Sequence, residues 1–250
     1  MTRTHNISSG LIRASGGCII THMSIYAISD LHLSLDSPKP MDIFGEAWRD
    51  HDKRIAQNWD ALVTGDDTVL IAGDHSWALK FEEAAADIEF IANRPGRKIL
   101  IRGNHDYWWR RESTNRIQKL LPESITLLHG RGIVVENIGI TGTRGWRMEE
   151  GETGIEAGGQ RVMNRELTYF ERGLSEIPDD VTKRIAMLHY PPFDADLQPN
   201  AFTELLHKYK VDIVVYGHIH SGAVLEGDVN GVDYKLVAVD HTGFKPVLIV

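Results

Sequence analysis

Five short blocks of this 250-residue chain carry residue types that bind metal ions. They read Asp30–Leu31–His32, Gly73–Asp74, Gly103–Asn104–His105–Asp106, His189 and Gly217–His218–Ile219–His220. A hydrolytic pair of metal ions needs about four oxygen or nitrogen donors per ion, one of them shared, with positions left open for water and substrate. Asp30, His32, Asp74, Asn104, His189, His218 and His220 supply such a set. Asn104 coordinates through a neutral amide oxygen, which adds no negative charge to repel a phosphate. Asp74 stands mid-set, and its two carboxylate oxygens suit it to bridging two ions. His218 and His220 sit two apart in a tight turn, so each imidazole can face a different ion. The chemistry indicated is dinuclear, metal-assisted hydrolysis of phosphate esters.

The elements that must position these residues are readable around them. Apolar runs at Ile25–Ser29, Thr68–Ala72, Arg97–Ile101, Arg184–Leu188 and Val211–Tyr216 each end at one of the blocks. They read as buried strands, and in open α/β sheets ligands bind beyond the carboxyl ends of the strands. Helices are expected over Arg49–Val63, with Ile55, Trp59 and Leu62 inward, and over Trp77–Ala92, with Leu79, Ala84 or Ala85, Ile88 and Ile91 inward. Pro95–Gly96 stops the second. This β–α–β–α–β order favours parallel strands with helical crossovers. The second half differs. Short runs at Ile125–Leu128, Ile133–Glu136 and Ile138–Thr141 predict antiparallel strands, and Gly142–Gly159, with six glycines, predicts a long mobile loop. Helices follow at Arg161–Ser175 and Ala201–Lys208, then antiparallel strands at Ala223–Glu226, Tyr234–Val239 and Val247–Val250.

Composition narrows the classes. The chain is 42% hydrophobic and 25% charged, ordinary for a globular protein, and no apolar run approaches the roughly 20 residues of a membrane span. A formal charge of −8 disfavours a sequence-indifferent nucleic-acid binder, which needs a basic field against phosphate. Cys18 is the one cysteine, which excludes internal disulfides and thiolate-rich zinc sites and suits a cytoplasmic location. Residues Met1–His22 read as a tag or leader outside the fold, with a single domain over residues 23–250 holding two sheets.

The ordered set Asp-x-His, Gly-Asp, Gly-Asn-His-Asp, His and Gly-His-x-His resembles the calcineurin-like metallophosphoesterase family, from residue 24 to residue 250. The resemblance implies an α/β fold: a four-layer α/β/β/α sandwich with two mixed central sheets, as in metallo-dependent phosphatases. Carried over by residue, it implies that Asp30, His32 and His220 hold one metal, that Asn104, His189 and His218 hold the other, and that Asp74 bridges them. His105 matches the family's non-ligand histidine, which contacts the phosphate and assists the leaving group, and Asp106 would orient that ring. A water bridging the ions would attack phosphorus in line as hydroxide. One departure stands out. Many relatives carry an acid or amide shortly after Gly-Asp, whereas this chain reads His75–Ser76–Trp77, which puts the neighbouring hydrogen bonds in question.

Plainer readings compete at single positions. Asp30, Asp74 and Asp106 could each be a helix N-cap, but the ordered set favours metal binding. His51, His129 and His207 read as surface or satisfied residues, whereas His75 and His241 are balanced between supporting the site and packing. Trp77 reads as core, with Trp108, Trp109 and Trp146 open between core and substrate stacking. Arg144 and Arg147, beside Trp146, are candidates to clamp a substrate phosphate. The imidazole count points to manganese or iron, with zinc compatible and magnesium less favoured. Small phosphodiesters or nucleotides are the leading substrates. A phosphomonoesterase or a nuclease on the same site is the alternative, and a non-catalytic interaction scaffold ranks below both.

Overall fold

A computed structural model describes residues 23–36, 39–110, 113–146, 156–194 and 196–250. The leader read at residues 1–22 lies outside the described residues, as does Arg147. The first sheet contains β1 (Ile25–Ile28), β2 (Thr68–Ile71), β3 (Arg97–Leu100), β4 (Ile125–Leu127) and β11 (Val247–Leu248), in the order β11-β1-β2-β3-β4. The second contains β5 (Gly132–Val135), β6 (Ile138–Thr143), β7 (Lys183–Leu188), β8 (Ile213–Tyr216), β9 (Gly227–Val229) and β10 (Val232–Leu236), in the order β5-β6-β7-β8-β10-β9. Each sheet is parallel at its centre, with antiparallel pairing at β11, β5 and β9.

Alternation along the strands builds the layers, because successive side chains point to opposite faces. Ile25, Ala27, Leu70, Ile99, Ile185, Met187, Ile213 and Val215 meet in the core between the sheets. The alternate residues Ile28, Val69, Ile71 and Leu100 face outward onto α1 (His51–Leu62) and α2 (Ala85–Ala92), through Ile55, Trp59, Ile88 and Ile91. Short helices α3 (Tyr107–Arg110) and α4 (Thr114–Gln118) follow β3. On the far side Ala186, Leu188, Val214 and Tyr216 pack against α5 (Glu156–Ser175) and α6 (Ala201–Lys208), through Phe170, Leu174, Phe202 and Leu206. The result is the α/β/β/α layering expected. The sheets meet where Ser29, just past β1, pairs with Ala238, just past β10.

Several local expectations change. β4 lies parallel to β3, and β10 parallel to β8, because helices and long loops return each chain to the same end of its sheet. Ala223–Glu226 is not a strand; the edge hairpin begins at Gly227 and turns through Asn230–Gly231. The helix expected from Trp77 begins with a 3-10 turn at Phe81–Ala84, so Leu79 precedes it and is exposed, as is Leu62 at the end of α1. α5 begins at Glu156, inside the stretch expected to be loop; residues 147–155 of that stretch lie outside the described residues.

Candidate metal centre

The five blocks converge at the carboxyl ends of the central strands. Asp30 and His32 follow β1, Asp74 follows β2, Asn104 and His105 follow β3, His189 follows β7, and His218 and His220 follow β8. The loops after β1 and β2 stay paired, with His32 N–H donating to Asp74 O at 3.0 Å and Leu33 N–H to His75 O at 2.9 Å. Asp30, His32, Asp74 and His218 all adopt positive φ, between 46° and 72°. Asp and His tolerate this left-handed region better than most residues, and such strain gathers at functional sites. Two glycines let the backbones close in. A Cβ on Gly103 would lie 2.0 Å from Asp74 Oδ1, and one on Gly217 would lie 2.3 Å from Asp30 Oδ2.

Hydrogen bonding decides which donor atoms face inward. Asp30 Oδ2 accepts from Ser29 Oγ at 2.5 Å and from His218 N–H at 3.0 Å. Asp30 Oδ1 lies 3.9 Å from His32 Nε2 and 3.6 Å from His220 Nε2, and those two nitrogens are 3.4 Å apart. On the other side Asn104 Oδ1 lies 2.6 Å from His189 Nε2 and 3.0 Å from His218 Nδ1. Asp74 joins the two groups. Its Oδ1 accepts from His105 N–H at 2.8 Å, while Oδ2 lies 3.9 Å from His32 Nε2 and 3.5 Å from His189 Nε2. A single oxygen, rather than the two expected, thus faces both groups.

The chemistry of this donor set fits metal ions. His189 Nδ1 is 3.0 Å from Ala72 O and His220 Nδ1 is 3.0 Å from Asp240 Oδ2; both partners only accept, so each ring carries its hydrogen on Nδ1 and presents a lone pair from Nε2. The Nε2 lone pairs of His189 and His220 therefore face Asp74 Oδ2 and Asp30 Oδ1, at 3.5 and 3.6 Å, with no ring hydrogen between them. Burial pushes Asp30 up to about 6, and burial with the neighbouring Asp106 charge pushes Asp74 up to about 8, as carboxylates lacking a countercharge behave. Asp30, His32 and His220 form one cluster able to hold an ion, and Asp30, Asp74 and His189 another.

Asp106 does something other than orient His105. Its Oδ2 accepts from Gly103 N–H at 2.7 Å and Asp74 N–H at 2.9 Å, and its Oδ1 accepts from His75 N–H at 2.9 Å and Trp108 Nε1–H at 3.1 Å. His75 Nδ1 lies 3.0 Å from Oδ2. Burial raises the Asp106 carboxyl, but the charge and hydrogen bonding of His75 and the Gly103 N–H outweigh it and hold the group well below the usual carboxylate range. Asp106 is thus the clasp between the loops after β2 and β3, and the expectation that it positions the His105 ring is corrected. His105 Nδ1 is buried without a hydrogen-bond partner among the described residues, and the ring leans on Trp77 at 4.3 Å between centroids.

Some residues of the site were not legible beforehand. Trp77, read as core, stacks on His32 at 4.9 Å and forms with Trp48 and Met41 the wall of a 410 Å³ cleft bordered by His32, His105 and His220. Trp48 and Asp240 carried no motif, although an Asp-His pair after a strand is a usable signal. Trp108 and Trp109 are buried core. Arg144 and Trp146 lie beside the Asn104 side of the cluster, with Arg144 Cζ 4.9 Å from the Trp146 ring. His129, read as a surface or satisfied residue, borders the same cleft, and burial pushes it down to about 4. His51 is buried against the carbonyl of His32, and His241 faces Glu226 at 3.1 Å.

Two mixed sheets flanked by helices, with imidazoles and carboxylates gathered at the strand ends, define the class of metallo-dependent phosphatase folds. The chain belongs to the calcineurin-like phosphoesterase family, whose model matches residues 23–222. Over 78 residues it is 40% identical to the Gene 66 protein of Mycobacterium phage L5, a match covering 31% of this chain and 37% of that protein. The Gene 66 protein of Mycobacterium phage D29 matches at 39% over 83 residues, covering 33% of this chain and 40% of the relative. The chain thus spans well under half of these relatives. In fold it is similar to the phosphopantetheinyl hydrolase of Mycobacterium tuberculosis, with TM-score 0.59 and 16% identity over 91% of this chain and 95% of that one. Among the described residues no helix is long and apolar enough to cross a membrane.

Proposed function

We propose that this protein hydrolyses phosphate esters at a dinuclear metal centre. Asp30, His32 and His220 would hold one ion, Asn104, His189 and His218 the other, and Asp74 Oδ2 would be shared. The observation that carries this is the single Asp74 oxygen facing a nitrogen donor of each group, 3.9 Å from His32 Nε2 and 3.5 Å from His189 Nε2. Bound there, two divalent ions supply a water acidified to near neutrality and neutralise charge on the phosphoryl oxygens. Manganese or iron suits the imidazole-rich set, with zinc compatible.

The chain's own groups do the rest. Asp240 and the Ala72 carbonyl fix the tautomers of His220 and His189. His105 stands beside the cluster without belonging to either donor group, and its Nδ1 is enclosed, so Nε2 is the nitrogen available to substrate. Burial and the nearby His189 push this imidazole down to about 4; a phosphate anion alongside opposes that and favours the protonated ring. A proton held on Nε2 steadies a phosphoryl oxygen and then passes to the departing alkoxide, a role commonly worth about 10²–10⁴ in rate. Trp48 and Trp77 would seat the leaving group beside His105 and keep water from it.

A small phosphodiester or nucleotide is the substrate this reading favours, because the chain's charge of −8 opposes long nucleic acid. Cytoplasmic residence and a single domain over residues 23–250 belong to the same reading. The test compares turnover of bis(p-nitrophenyl) phosphate and p-nitrophenyl phosphate by manganese-loaded protein, with metal content measured alongside. Asp74→Asn loses both metal and activity; His105→Ala keeps metal and loses turnover by about 10²-fold or more. Full metal content in Asp74→Asn, or normal turnover in His105→Ala, overturns the assignments.

A further inference from the structure

A second cleft opens on the Asn104 side of the cluster and shares no lining residue with the Trp48–Trp77 cleft. Its volume is about 580 Å³, and Arg102, Arg144, Arg165, Trp146, Tyr169 and Tyr190 line it together with Asn104. The connection to the centre is direct. The Arg144 carbonyl accepts from the N–H groups of His189 and Tyr190 at 3.1 and 2.9 Å, and the Tyr190 ring lies 4.2 Å from the His218 ring.

Three guanidinium groups border one cleft in a chain whose formal charge is −8, so this concentration of positive charge is local. Arg144 and Arg165 share one carboxylate. Glu166 is fully buried, one of its oxygens accepts from Thr143 Oγ1, and the other lies 3.9 Å from Arg144 Nη2 and 3.5 Å from Arg165 Nη2. Those separations exceed hydrogen-bond length, and Arg144 Nε is buried without a partner among the described residues. Two guanidinium groups against one carboxylate, with Arg102 bordering the same cleft, leave an excess of positive charge that repels itself. An anion among these groups relieves that repulsion, and planar guanidinium forks match phosphate oxygens in pairs.

We propose that this cleft binds a second phosphate group, carried on the part of the substrate that stays attached to the scissile phosphorus. The inference rests on the phosphoesterase reading above and narrows its substrate class to esters bearing two phosphates. Leaving group and retained portion then occupy different clefts: the aromatic one beside His105 and the arginine-lined one beside Asn104.

The test uses two chromogenic diesters with the same leaving group, thymidine 5′-(p-nitrophenyl phosphate) and its 3′-phosphorylated form, with manganese-loaded full-length protein. The wild type is expected to prefer the 3′-phosphorylated diester by about tenfold or more in kcat/KM, the worth of one charge-assisted hydrogen bond. In Arg144→Ala, and in the more exposed Arg165→Ala, that ratio falls towards one. Equal kcat/KM for both diesters, or a preference that survives both substitutions, overturns the subsite and leaves the phosphoesterase reading standing. If neither diester is turned over, that reading fails, and calorimetry of thymidine 3′,5′-bisphosphate with metal-free protein decides the subsite alone. Binding about tenfold weaker in Arg165→Ala supports it; equal affinity, or none in the wild type, overturns it.

Discussion

Replacing Asp106 by Asn tests the clasp at the base of the site. The two side chains are nearly isosteric, but an amide has one accepting oxygen and two donating hydrogens. In the native arrangement Oδ2 faces the N–H groups of Gly103 and Asp74 at 2.7 and 2.9 Å, and Oδ1 faces those of His75 and Trp108 at 2.9 and 3.1 Å. Whichever way the amide turns, its NH₂ points at two buried donors. Each buried donor left without an acceptor costs about 1–3 kcal/mol, so two cost about 2–6 kcal/mol. That is a large part of the 5–15 kcal/mol typical of a folded domain. Urea denaturation of metal-free wild type and Asp106→Asn measures the difference directly, and elemental analysis reports whether Asp74 still binds metal. The expected result is a lower midpoint together with reduced metal content. A variant within 1 kcal/mol of the wild type, with full metal content and impaired only in turnover, would refute the clasp and assign Asp106 to His105 instead.

Gly103→Ala sets a methyl group 2.0 Å from Asp74 Oδ1 and 2.3 Å from Asp74 N; with overpacking costing about 1–3 kcal/mol, it should lower both the melting temperature and the metal content, and a normally loaded variant would count against the close approach. Manganese at a hundred times its Kd should stabilise the protein by about 2.7 kcal/mol, raising Tm by roughly 5–10 °C, and a flat melting curve across a manganese titration argues against any site. Lys98 is buried and donates to the carbonyls of Ala92 and Arg94 at 3.0 and 2.7 Å, where α2 ends. Burial lowers this amine from 10.5 to about 8, so between those values the unfolded chain binds the proton that the folded chain has released. Wild-type stability therefore gains with rising pH in that window, by up to about 3 kcal/mol, and Lys98→Met should lack the gain; parallel pH profiles would exclude it.

The parts of this molecule that could be read in advance are those fixed by short-range rules. Apolar runs ending in Asp, Asn or His marked the central strands, and because a parallel sheet puts all its carboxyl ends at one edge, Asp30, His32, Asp74, Asn104, His189, His218 and His220 gather there. Interactions that depend on which loops meet were not legible. Asp106 follows His105 directly, yet its partners are backbone N–H groups across the site, a role no spacing announces. Trp77 sits at a position that helical periodicity assigned to a core helix, but the segment is extended, and its ring turns to His32. Parallel pairing of β4 escaped notice because a three-residue strand carries too little pattern to show direction.

Division of the donor residues between the two sheets has a consequence for how the chain comes to life. Asp30, His32, Asp74 and Asn104 follow strands of the first sheet, whereas His189, His218 and His220 follow strands of the second. The first 180 residues therefore carry four of these side chains, and the other three come only with β7 and β8. On the proposed metal centre, bound ions would join side chains of both sheets beside the Ser29–Ala238 bridge, so metal uptake would require both sheets to have docked.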